Sequence, residues 1–170
     1  MSESPWRLSW RADPAVAALA DRHYSRKTVG AGQFTPPGRV LILRTADRTA
    51  GWVTLWPRPE YADMPDWAGA WMNTFFRNEG DGLSSDLIRR AIAHTRDRWP
   101  DVPPLGMVTL IDPSKIRRKR DPGRCYLKAG FRHAGYTKSG HRVLQLLPAD
   151  MPEPEPMPGS QDVLFALEAS

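Results

Sequence analysis

The chain has 170 residues, of which 41% are hydrophobic and 25% charged, enough for one domain with a core of its own. A formal charge of +5 favours an acidic partner such as nucleic acid, although an excess of this size is also common on proteins that merely stay dissolved. Cys125 is the only cysteine, which excludes an internal disulfide and a multi-cysteine zinc site, and with no long apolar stretch and no basic-then-apolar leader the expectation is a soluble cytoplasmic protein.

Trp6 to Trp10 alternates large and polar residues as a short strand does, and Asp13-Pro14 reads as an N-cap followed by proline in the first turn of a helix running to about Tyr24. Ser25 to Gly38 is a loop with a Pro-Pro pair and basic residues. Strands Arg39–Arg44 and Gly51–Trp56 then form a hairpin through Ala46-Asp47-Arg48. Pro57 to Trp67 is irregular and long enough for a binding loop. A strand Ala70–Phe76 leads into Arg77-Asn78-Glu79-Gly80-Asp81-Gly82. A helix from about Leu83 to Trp99 follows, with Leu87, Ile88, Ala91, Ile92 and Thr95 inward and Ser84 or Ser85 as its cap.

Pro100 to Pro104 stops that helix, Leu105–Ile111 is an apolar strand, and Asp112 stands just beyond its carboxyl end. A basic loop, Lys115 to Arg120, precedes a helix begun at Pro122 and ended by Gly130. Phe131–Tyr136 and Arg142–Leu147 form a last hairpin through Ser139-Gly140. The domain therefore spans 1–147. Residues 148–162 form a Pro- and Glu-rich linker expected to leave the core, and 163–170 form a segment able to dock on this molecule or on a second copy.

The R-x-x-G-x-G loop has the makings of an anion cradle. Gly80 and Gly82 let the backbone approach a phosphate, the amides of Leu83, Ser84 and Ser85 open a helix, and Arg77 meets phosphate or a neighbouring carboxylate. Tyr126-Leu127-Lys128-Ala129-Gly130-Phe131 supplies Y-x-x-x-G-F, a helix end that hands over to a strand. In this order the two pieces resemble the GNAT N-acetyltransferase superfamily. The resemblance implies a single α/β (α+β) domain with a mixed, mostly antiparallel sheet flanked by helices. It also implies acetyl-CoA or a related acyl-CoA as donor, and Tyr126 as the acid that protonates the departing thiolate.

A second resemblance is to the Mom-type phage proteins, themselves GNAT-like, which modify adenine in DNA. It rests on His23-Tyr24-Ser25 with the basic, glycine-containing loop, the strand ending in Arg77, the serine-capped helix, and Leu110-Ile111-Asp112-Pro113 followed by Tyr126 and Ala129-Gly130-Phe131. It implies roles for His23, Tyr24, Arg77, Ser84 (or Ser85 in its place), Asp112 and Tyr126. The loop between Asp112 and Tyr126 is longer here and strongly basic, a departure from that group. Asp112 can accept a proton from an amine or merely cap the Asp-Pro turn, and His23 is the other candidate base. Lys115, Arg117, Arg118, Lys119, Arg120 and Arg124, extended by Arg26, Lys27 and Arg39, would meet DNA phosphates. An extruded base could stack on Phe34, Trp56, Tyr61 or Trp67.

The histidines His94, His133 and His141 lack zinc-motif spacing, so no metal site is assigned, and Cys125 reads as structural. The expected function is Mom-like modification of adenine in DNA. The alternatives are an acetyl-CoA-dependent N-acetyltransferase for a small or protein amine, and a non-catalytic nucleic-acid-binding module.

Overall fold

A computed structural model describes residues 3–22, 38–57, 65–112 and 123–158. Its elements are β1 (Trp6–Leu8), α1 (Pro14–Asp21), β2 (Arg39–Thr45), β3 (Ala50–Trp56), β4 (Trp71–Asn78), α2 (Ser84–Arg98), β5 (Met107–Ile111), α3 (Arg124–Lys128), β6 (Arg132–Tyr136) and β7 (Arg142–Leu146). The strands form one seven-stranded sheet in the order β1-β2-β3-β4-β5-β7-β6. Every neighbouring pair is antiparallel except β4 and β5, which run parallel because α2 carries the chain back between them. The expected mixed, mostly antiparallel sheet is present. Among the described residues no helix is long and apolar enough to cross a membrane.

Both sheet faces are covered, so the strands carry apolar residues in consecutive positions rather than strict alternation. Leu41, Leu43, Trp52, Phe76, Met107, Leu144 and Leu146 pack with Leu87, Ile88, Ala91 and Ile92 of α2 and with Tyr126 of α3. Val16, Leu19 and Ala20 of α1 meet Ile42, Val53 and Phe75 in a separate cluster. Each fully buried leucine or isoleucine contributes about 1.5–3 kcal/mol. Polar anchors fix α2 in place: the Trp6 indole donates to the Leu87 carbonyl at 2.9 Å, and the Thr54 and Thr95 hydroxyls meet at 3.1 Å.

Several boundaries differ from the sequence expectation. The first helix ends at Asp21, though Asp13 caps it as read, accepting from the Ala15 amide. The fifth strand starts at Met107 because Gly106, in a left-handed conformation (φ 69°), closes the turn after the prolines. Neither Ser84 nor Ser85 caps α2. Leu83 holds the cap position without a side-chain bond, and Ser84 is already helical, its hydroxyl accepting from Asn78 at 3.1 Å.

Residues 148–158 do not leave the core. They run along α2, with Met151 buried, Arg90 paired to Glu155 at 2.9 Å, and Arg96 donating to the Pro152 carbonyl. The remainder of the expected linker and the segment 163–170 lie outside the described residues. His94, on α2, ties both chain ends together. Its Nδ1 lies 2.8 Å from the Glu155 carbonyl, which can only accept, so Nε2 is left to accept the Ser4 hydroxyl at 2.8 Å.

Two expectations follow. An added Cβ at Gly106 would strike the Leu146 carbonyl while keeping an unfavourable φ, whereas at Gly140 (φ 89°) it would meet open space. In urea denaturation Gly106→Ala will cost about 3 kcal/mol or more, and Gly140→Ala only about 1–2 kcal/mol. Burial lowers the His94 pKa from 6.5, so the folded protein resists a proton that the unfolded chain accepts. Stability from this residue is complete above pH 6.5 and declines as pH falls below it. Melting curves should show that decline in the parent and a flatter profile in His94→Gln.

Candidate functional site at the parting of β4 and β5

β4 and β5 stay paired only from Trp71 opposite Met107 to Asn73 opposite Thr109. Beyond that point β4 keeps to β3 as far as Asn78, while β5 keeps to β7 as far as Ile111 opposite Arg142. The sheet thus divides into two halves at the carboxyl ends of its one parallel pair. Such a crevice is where open sheets with parallel strands bind ligands.

Asn73 builds the parting. The β3–β4 register slips between Val53 and Thr54, leaving Thr74 as an extra residue on β4. The Asn73 amide nitrogen donates to the Val53 carbonyl at 3.0 Å and the Phe75 carbonyl at 2.8 Å, securing the bulge. With both amide protons committed, Oδ1 is the acceptor. It receives the Tyr126 hydroxyl at 2.5 Å and the Thr109 hydroxyl at 3.3 Å. Tyr126 is 7% exposed and packs edge-on against Phe76 and Phe131, so its phenol reaches the apex of the crevice from α3. Both Asn73 and its bulge escaped the sequence reading. An asparagine inside an apolar strand was the available signal.

On the β4 side of the mouth lies the glycine loop. Among the described residues, no acceptor meets the amides of Gly82, Leu83, Ser84, Ser85 or Asp86, the unpaired donors of the α2 N-terminus. Two details differ from the expected cradle. The Gly80 amide is already spent on Asn78 Oδ1 at 3.0 Å. Neither Gly80 nor Gly82 has a positive φ, and Gly80 is needed because a Cβ there would collide with the Thr49 hydroxyl.

Arg77 takes the second of its expected partners, a carboxylate. Its Nε lies 2.5 Å from Glu79, and its terminal nitrogen donates to the Arg22 carbonyl at 2.8 Å. Arg22 grips the same carboxylate through two bonds of 2.8 and 2.9 Å. Hydrogen bonds from Arg22 and then Arg77 hold the Glu79 carboxyl at about 2, against an ordinary 4.5, so it stays charged throughout the neutral range. The arginines therefore leave one net positive charge beside the loop. A cavity of about 280 Å³ at the same corner carries Asp47 and Asp81 in its wall, which makes it a poor place for phosphate.

On the β5 side, Asp112 sits just past the strand, largely buried, with Oδ2 3.5 Å from His141 Nε2. His141 immediately precedes β7 and went unassigned in the sequence, since only strand pairing brings it to Asp112. Arg124 is exposed at the start of α3. His23, Tyr24, Arg26, Lys27, Lys115, Arg117, Arg118, Lys119 and Arg120 lie outside the described residues, as do Phe34 and Tyr61. Trp56 is unsuited to hold a base. It is locked against Trp71 and Trp99, with the Arg39 guanidinium 4.6 Å over its ring. Among the described residues no group of three His, Cys, Asp or Glu is arranged to hold a metal.

If the α2 amides take a phosphate, removing the neighbouring anion should help. Glu79→Gln is expected to tighten inorganic pyrophosphate about twofold to fivefold at low salt, the size of a surface charge term. Calorimetric titration reads this, and weaker binding by the variant would place the anion elsewhere. No protein-family model, curated protein or solved structure matches this chain.

Proposed function

We propose that the chain is a GNAT-type transferase, similar to the Mom-type proteins, that acts on the exocyclic amine of adenine in DNA with an acyl-CoA-type donor. The observation that carries this reading is the crevice between β4 and β5, with the Tyr126 hydroxyl at its apex and unpartnered α2 amides at its mouth. The strand order, with one parallel pair and β7 set between β5 and β6, supports it as well.

The donor would supply an activated acyl group on a thiol leaving group. The chain's own residues divide the remaining work. The amides of residues 82–86 and the paired Arg22 and Arg77 face the anionic part of the donor, although Asp81 and Asp86 temper that field. Asn73 Oδ1 holds the phenolic proton of Tyr126 in place until a developing thiolate competes for it. Asp112, backed by His141, accepts the proton that the amine loses as its nitrogen joins the acyl carbon. The bond formed is C–N and the bond broken is C–S; Tyr126 gives its proton to the leaving sulfur, Asp112 takes one from the amine, and exchange with solvent returns both residues to their starting states.

An extruded base approaching from the β5 side would meet Asp112 first. Basic loop residues 115–120 follow it directly in the chain, and this sequence adjacency favours a DNA acceptor over a small amine.

Nucleoside mass analysis of DNA from cells expressing the protein should reveal a modified adenine. Tyr126→Phe and Asp112→Asn should each lower its yield by about 10²–10⁴-fold. Unmodified nucleosides beside folded, DNA-binding parent protein, with no activity on small amines, would leave only the non-catalytic module. Activity on a small amine that survives charge reversal at Arg117, Arg118, Lys119 and Arg120 would instead identify an N-acetyltransferase of the other kind.

A further inference from the structure

The charge on this protein is unevenly paired. On the half of the sheet built from β1 to β4, arginines meet carboxylates: Arg7 with Glu3, Arg44 with Asp13, and both Arg22 and Arg77 with Glu79. The other half is different. Residues 122–149 contain five lysines and arginines and no aspartate or glutamate. Among the described residues no carboxylate pairs with Arg124, Lys128, Arg132 or Lys138. Cations that meet no carboxylate among the described residues are available to an external anion.

The β6–β7 hairpin gives this charge a shape. β6 is the edge of the sheet, and its register slips between His133 and Gly135, so that His133 and Tyr136, three residues apart, bring their rings to 5.0 Å. Arg142 Nε donates to His133 Nδ1 at 3.1 Å, which leaves Nε2 as the donor of that ring. Tyr136 is 63% exposed even with the His133 ring against it, an unusual placement for a large aromatic. The opposite face of the strand is occupied, because Trp67 packs directly under Gly135.

The hairpin is continuous with the candidate site. Tyr136 pairs with Arg142, and Arg142 with Ile111, in one row across three strands, and His141 touches Asp112 at the end of that row. At about 4.8 Å per strand, Tyr136 stands roughly 10 Å from the rim of the crevice. That is the reach of a neighbouring nucleotide.

We infer that the β6–β7 hairpin is a nucleic-acid contact surface, in which Arg132 and Lys138 meet phosphates and Tyr136 stacks on an unpaired base next to the one presented to Asp112. The choice of DNA rests on the function proposed above, whereas the surface itself rests on the unpaired cations and the exposed ring. A partner with both anionic backbone and flat apolar faces matches this mixture, and an acidic peptide would leave the ring unused.

The test uses the full chain and a short fluorescein-labelled DNA duplex carrying an unpaired adenine, followed by polarisation over a range of salt. Tyr136→Ser should weaken binding about tenfold and Tyr136→Phe should retain it, since stacking needs the ring and not the hydroxyl. Arg132→Gln with Lys138→Gln should reduce the slope of log affinity against log salt by about 2. All three positions changed are exposed, and melting curves confirm that each variant folds. Parental affinity and slope in both the Ser and the Gln variants would overturn the hairpin surface while leaving the transferase reading intact. Failure of the parent to bind would remove both. Binding that depends on the hairpin, in a protein that leaves adenine unmodified, would uphold the surface and remove the transferase.

Discussion

The Asn73 side chain holds four separate parts of the chain at one point, and the rest of the architecture follows from it. Its amide satisfies two carbonyls freed by the bulge at Thr74, one of them on the neighbouring strand β3. Its oxygen gathers the hydroxyls of Thr109 on β5 and Tyr126 on α3. A buried amide with every hydrogen-bonding group used is a strong constraint, because breaking one contact leaves a desolvated partner behind. Below this point β4 and β5 form a parallel ladder, and above it they separate. The bulge also changes which face the following residues use, so that Phe75 packs with α1 and Phe76 with α2 and Tyr126. A single extra residue thus opens the crevice and covers both of its sides.

The two halves of the sheet differ in charge as well as in direction. Where the chain presents the α2 N-terminus, Arg22 and Arg77 share the Glu79 carboxylate, and unpaired helix amides add to the positive field they leave. That field acts within the first helical turn and suits a compact anion held closely. Across the crevice, Arg124, Lys128, Arg132 and Lys138 meet no carboxylate among the described residues and spread over an exposed surface. A diffuse cationic face of that kind suits a long polyanion and weakens with salt. The two positive fields are therefore separate, one concentrated at a helix end and one spread along an exposed hairpin.

Order in the terminal segment has a similar physical logic. Prolines and glutamates from 148 onward resemble a solvated linker in composition, yet Glu155 pairs with Arg90 and its carbonyl engages the buried His94 ring. Met151 and Met157 add apolar contacts against the main cluster. Proline-rich chain loses little entropy on becoming extended, so a few contacts suffice to lay it along α2. Composition alone could not show this, because the partners lie some sixty positions earlier in the chain.

Local patterns in the sequence determined the elements. The hydrophobic stripe of α2, the Asp13 cap, the two hairpins and the strand–loop–helix passage at Arg77 to Leu83 are encoded within a few residues of one another, where periodicity and turn chemistry act. Tyr126, Asp112 and Arg77 were legible for the same reason, as chemistry-bearing residues at element ends. What the tertiary structure alone decided was their company: Asn73 beneath Tyr126, His141 beside Asp112, Glu79 between two arginines, and Trp56 locked into a tryptophan cluster. These contacts join residues from separate elements, and strand register fixes them. A one-residue bulge shifts which face each residue uses, so no local pattern could have specified them in advance.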